Sequence, residues 1–99
     1  MSEFEKNEVI YSESIGVCSV TDIVNLLTNN QVRLKYYVLT PICSKSSPSY
    51  IPVYDHQVHL RHLITIEEAK VKEKQDRLGE LEKQEIEYVL SKDEVDKDN

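Results

Sequence analysis

Apolar residues in the first two thirds of this chain fall in short runs between turn formers, whereas in the last third they recur at helical spacing. The early runs are rich in Val, Ile and Tyr, which suit a pleated, half-buried surface. They predict strands at residues 7–11, 17–27, 34–42, 49–54 and 61–65. Thr28-Asn29-Asn30 reads as the turn of a hairpin between the second and third runs, with Asn tolerating positive φ. Pro41 should end or bend the return strand, because proline donates no ladder hydrogen bond. Ser44 to Ser49 reads as a loop, and Pro52 confines the strand around Ile51 and Val53 to a sheet edge or a bulge. Five short strands of this kind close into a small barrel or half-barrel. Of the adjacent Tyr36 and Tyr37, one must face inward and the other outward.

The composition changes near Ile66. All three prolines precede it; after it come Glu, Lys, Gln and Leu with a single glycine, Gly79. Thr65 with Glu68 three residues later matches a capping box, and Glu67 and Glu68 suit the positive end of a helix dipole. Val71, Leu78, Leu81, Ile86, Val89 and Leu90 form a loose apolar stripe. Glu68 with Lys72 and Glu73 with Arg77 are spaced as helical ion pairs. The remaining carboxylates read as a solvated helical face. Gly79 weakens a helix by about 1 kcal/mol and marks a break. The expected architecture is mainly β with a C-terminal α segment of one long or two short helices. Its parts are a β-domain over 1–66, an acidic helical segment over 67–90 and a disordered tail over 91–99. The stripe could pack back on the β-domain or meet a second copy. It is too irregular for a sustained coiled coil, so a monomer or weak homodimer is expected.

Charge narrows the function. The net charge of −6 is uneven: residues 1–66 carry six acids and five bases, residues 67–99 twelve acids and seven bases. The acidic segment repels phosphate, so direct DNA binding is expected to be weak or absent. No run of about 18 apolar residues is present to span a membrane. The acidic start, Met1-Ser2-Glu3-Phe4-Glu5-Lys6, has no apolar signal core, and Cys18 and Cys43 read as reduced thiols, so a cytoplasmic location is expected.

An ordered set of fragments then bears on function: Phe4, Tyr11, Gly16-Val17, Tyr36, Val38-Leu39, Pro52, Arg61 and Leu63-Ile64. Over residues 3–68 this set resembles the CarD-like family, whose β-domain is shared with the RNA-polymerase-interacting domain of transcription-repair coupling factor. The chain departs from that pattern at Lys6-Asn7, where the family has Gly-Asp, and at His59, where it has glycine. It also lacks tryptophan, while full-length members follow the barrel with a basic, tryptophan-bearing domain that touches promoter DNA. The resemblance implies a Tudor-like or SH3-like barrel that docks on the β-subunit lobe of bacterial RNA polymerase and catalyses nothing. Leu26, Leu27 and Arg33 on the hairpin and Tyr50 on the edge near Pro52 are the candidate contacts. Arg61, at the junction with the helices, reads as structural, paired with a carboxylate or with helix-end carbonyls.

Other chemistry finds less support in the residues. His56, His59, His62, Cys18 and Cys43 could serve a metal- or thiol-based sensor, but no Cys-x-x-Cys pair is present and the three-residue histidine spacing falls on a loop and strand start. Neither a metal nor a cofactor is expected. Gly16 and Gly79 are the only glycines, too few for a phosphate-cradling loop. An adaptor domain with a partner other than polymerase is a further alternative.

Overall fold

The computed structural model describes residues 3–97. Five antiparallel strands, β1 (Val9–Ser12), β2 (Gly16–Leu27), β3 (Arg33–Pro41), β4 (Ser49–Pro52) and β5 (Leu60–His62), form one sheet in the order β4-β3-β2-β1-β5. Two helices follow, α1 (Ile66–Lys72) and α2 (Glu80–Lys97). The mainly β class with a C-terminal α segment is therefore as expected. The sheet does not close into a barrel, because β4 and β5 both remain edges. The proline signals hold: Pro41 is the last residue of β3, and Pro52 ends the edge strand β4. Among the described residues no helix is long and apolar enough to cross a membrane.

Three local expectations need correction. The left-handed residue of the hairpin loop is Gln31 (φ 60°), not an asparagine. The loop closes around Thr28, whose N–H donates to Val32 O (2.9 Å) and whose Oγ1 accepts from the Val32 N–H (3.2 Å). That reciprocal pair puts the reversal one residue later than the Asn pair implied. Glu73 and Arg77 do not share a helix either, since α1 ends at Lys72 with Glu73 as its C-cap. The break spans residues 73–79 and ends at Gly79, as expected, and α2 continues through residues 91–97 of the segment expected as a tail. Residues 98–99 lie outside the described residues.

One face of the sheet holds the main core. Ile10, Cys18, Val20, Tyr37 and Leu39 are fully buried there with Phe4, and Val53 and Leu60 close the cluster. The Tyr37 hydroxyl accepts from the Glu3 and Phe4 N–H groups (2.9 and 3.2 Å), tying the N-terminal segment over the core. Burial of these side chains stabilises the sheet by about 1.5–3 kcal/mol for each large one.

Part of the opposite face is covered by the helices. Thr65 and Glu68 form the expected capping box, worth about 1 kcal/mol to α1. The Thr65 hydrogen bonds hold the Glu68 carboxyl below its ordinary range. α2 packs across the start of β2, where an added Cβ on Gly16 would lie 3.0 Å from Leu81 Cδ2. Gly16 also has φ +82°, so close approach and a left-handed backbone both require glycine there. Behind this contact, Ala69, Ile86 and Val89 form a second small core with Leu63, Ile64 and Leu78.

The junction is locked by a residue the sequence reading placed in solvent. Glu85 is 1% exposed. Its carboxylate accepts two hydrogen bonds from Arg61, each 2.8 Å, and a third from the Ile64 N–H at 3.1 Å. The Arg61 guanidinium lies 4.1 Å from the centre of the Tyr11 ring. Arg61 is thus structural as expected, and its partner is a carboxylate on α2. Replacing Arg61 with alanine leaves the Glu85 charge buried with one amide, which should cost about 2–4 kcal/mol. Urea unfolding should report this loss, and combining Arg61→Met with Glu85→Leu should recover most of it. A loss below about 0.5 kcal/mol for Arg61→Ala would mean that the pair contributes nothing measurable.

Candidate docking face

The pairing register decides where each candidate contact points. Leu26 pairs with Leu34, Val24 with Tyr36, and Val38 with Tyr50, while Tyr36 also pairs with Pro52. Paired residues share a face, and the inward Tyr37 pairs with Ile23 and Ile51 on the core side. Val24, Leu26, Leu34, Tyr36, Val38, Tyr50 and Pro52 therefore stand together on the face away from the core, with the exposed Asp22 beside Val38 at one end. Tyr36 is the outward tyrosine of its pair, and Tyr37 the buried one.

Leu26, Leu34 and Tyr50 are 40%, 43% and 56% exposed. From the Leu26–Leu34 pair to the Val38–Tyr50 pair is four residues along β3, about 13 Å. Only the Leu26–Leu34 end of this row lies on a projecting arm, because Tyr36, Val38 and Tyr50 stand where β4 pairs with β3. Among the described residues nothing pairs with the outer side of β3 before the Val53 N–H bond to Lys35 O (3.0 Å), where β4 begins to flank it. β1 reaches β2 only as far as Ser19, with two loop bonds to Val20. The rest of β2 and β3 is a two-stranded ribbon.

Leu26 and Tyr50 thus come together on one face. Leu27, 63% exposed, pairs with the exposed Arg33 on the other face of the arm. Alternation parts the two leucines, and a bulge decides which of them joins Tyr50: Val20 pairs with Leu39 and Asp22 with Val38, so Thr21 is an extra residue. Its hydroxyl donates to Val38 O at 3.1 Å. The extra residue flips every later side chain of β2 to the other face. Leu34, Val24 and Val38 were missed as members of this surface. The signal for Leu34 is its pairing with Leu26, readable once the loop is known to span 28–32.

The edge itself is blunted. Val53 points its N–H at β3, so alternate residues Ile51 and Ser49 do likewise, leaving Tyr50 and Pro52 to face outward. Proline has no N–H, so the free side of β4 offers one backbone donor, that of Tyr50. Contact through side chains is better provided for than strand addition.

The sensor residues are dispersed. Cys18 is buried with its Sγ 3.8 Å from Ile10 O, and burial pushes its thiol up to about 11. Cys43 is exposed; partial burial and the nearby Glu87 carboxylate raise its pKa. His62 Nδ1 lies 2.7 Å from Glu8 Oε2, and His56 Nδ1 lies 2.8 Å from Val58 O. Among the described residues no group of three or more His, Cys, Asp or Glu side chains is placed to hold a metal ion. Both thiols are raised, so neither has the lowered pKa of an activated cysteine. Iodoacetamide at pH 8 should modify Cys43 slowly and Cys18 only after denaturation, as read by intact mass. Equal labelling of both in the native protein would contradict this burial.

The chain matches no family model, no curated protein and no solved structure.

Proposed function

We propose that this chain is a non-enzymatic docking module of bacterial transcription that grips the β-subunit lobe of RNA polymerase. The reading rests on the ordered CarD-like fragments of residues 3–68, and the observation that carries it is the bare apolar row that runs onto the projecting arm. Leu26, Leu34 and Tyr50, exposed on one face with Tyr36 between them, are the kind of apolar patch that marks an interaction site. A tyrosine packed in a desolvated centre also carries a large share of the binding energy in protein interfaces, and leucines beside it add buried apolar area. The contacts in this reading are Leu26, Leu34, Tyr36 and Tyr50. Leu27 and Arg33 stand on the other side of the arm and are secondary. Bound there, the protein would tune promoter opening or block a competitor for the same lobe. The acidic helices keep it from DNA, so it acts through the polymerase alone. An adaptor for another protein would use the same face and differ only in its partner.

The test is binding of the full chain to purified polymerase and to its isolated β lobe. Tyr50→Ala and Leu34→Ser should each weaken binding by about tenfold, because each removes an anchor of the outward row. Leu27→Ser, on the opposite face, should leave it within about twofold. No binding at about 50 μM would remove the polymerase reading. Equal losses for all three variants would remove the outward row as its surface.

A further inference from the structure

One stretch of sheet edge is left open. β1 covers the outer edge of β2 at residues 16–19, and loop bonds with Asn7 and Glu8 carry that cover as far as Val20. Among the described residues no strand pairs with the same edge from Ile23 to Leu27. The Thr28 N–H points across the hairpin at Val32 O. Val24 and Leu26 therefore direct their backbone groups at β3, and Ile23, Asn25 and Leu27 direct theirs away. The Asp22 carboxylate accepts from the Ile23 N–H at 2.8 Å. The Asn25 and Leu27 donors, and the carbonyls of all three residues, are left for a neighbouring strand.

The two outer strands of the sheet are defended, and this edge is not. β4 carries Pro52, and β5 carries Arg61 and His62. Ile23-Val24-Asn25-Leu26-Leu27 holds neither proline nor charge, which are the usual means of keeping a foreign strand off.

The side chains say which strand fits. The segment is matched with itself about Asn25: Val24 with Leu26, Ile23 with Leu27, Asp22 with Thr28. A twofold axis at Asn25 sets each of these against its match in an antiparallel second copy. Val24 then meets Leu26 of the copy on the outward face, and Ile23 meets Leu27 on the other. Asn25, a poor strand former, meets its own counterpart, where each amide can donate to the other's oxygen. Asp22 meets the hydroxyl of Thr28 and not a second carboxylate. The strand of the copy ends at its Thr28, opposite Asp22, and so stops short of the N-terminal segment bonded at Val20. Residues 23–54 contain three bases and no acid, so two net-negative chains approach here through their least acidic part.

We propose that two copies of this chain join edge to edge through β2, antiparallel about Asn25, into one continuous sheet. The contact is short and falls below the roughly 1,200 Å2 of a standard interface, so the dimer is weak and exchanges with monomer. It uses the edge of the arm and not its outward face, so the inference stands whether or not the chain binds polymerase.

Sedimentation of the full chain tests this, under reducing conditions so that the exposed Cys43 cannot cross-link copies. It should show a monomer–dimer equilibrium with Kd on the order of 100 μM. Asn25→Asp and Asn25→Lys should each weaken the dimer about five- to tenfold, because the axis sets two like charges directly opposite. An equimolar mixture of the two variants should recover it, with lysine facing aspartate. Asn25 is exposed, so folding should survive, and an unchanged circular dichroism spectrum would verify this. Leu34→Ser, on the outward row, should leave dimerisation within about twofold. No rise in sedimentation coefficient up to about 1 mM, losses that mixing does not restore, an equal loss for Leu34→Ser, or species larger than a dimer would overturn the proposal.

Discussion

The molecule depends on one ion pair, that of Arg61 on β5 with Glu85 on α2. A carboxylate taken out of water is tolerated only if nearly all its acceptor capacity is used. Glu85 meets this with two guanidinium N–H groups and the Ile64 amide. The Tyr11 ring supports the guanidinium from β1, the neighbouring strand. Strand, strand-to-helix link and helix thus meet at one charge. Such a pair adds little stability over a well-packed apolar substitute, but it has a strict geometry. Its role in this fold is to fix the position at which α2 crosses the sheet.

That position divides the outer face of the sheet in two. Tyr11, Val17 and Arg61 share a row across β1, β2 and β5 and lie under α2, which also closes on Gly16. The other half of the face, from Leu26 to Tyr50, is left bare. α1 is too short to reach it, with seven residues spanning about 10 Å. The bare row is therefore a consequence of where the helices are held. Pro52 then limits the danger of an open edge beside that row, because β4 can offer a neighbouring strand few donors.

What could be read in the sequence was whatever a residue dictates locally. Pro41, Pro52 and the Thr65–Glu68 box act within a few residues of themselves, and each appears where its chemistry demands. Glu85 acts across 24 residues, on Arg61, so no local signal marked it as paired. Its position did hold a hint: it lies four residues from both Leu81 and Val89, inside the apolar stripe and off the solvent side. The docking face was half legible for a different reason. Strict alternation from Val17 along β2 would put Leu27 outward and Leu26 inward. The extra residue at Thr21 reverses that order, and nothing in its side chain announces a bulge. A single unpaired residue thus decided which leucine belongs with Tyr50.

The same division explains how one small chain can present two chemically different surfaces. The outward row has Asp22 at one end and Arg33 and Lys35 on the opposite side of the same ribbon, while residues 67–99 carry twelve acids and seven bases. An apolar row alone would accept many partners, since burial of hydrocarbon is not directional. Under the proposed docking, like-charge contact at the rim would separate them, because like charges brought together are costly. The uneven charge along the chain would then help select partners, on surfaces whose positions Arg61 and Glu85 set.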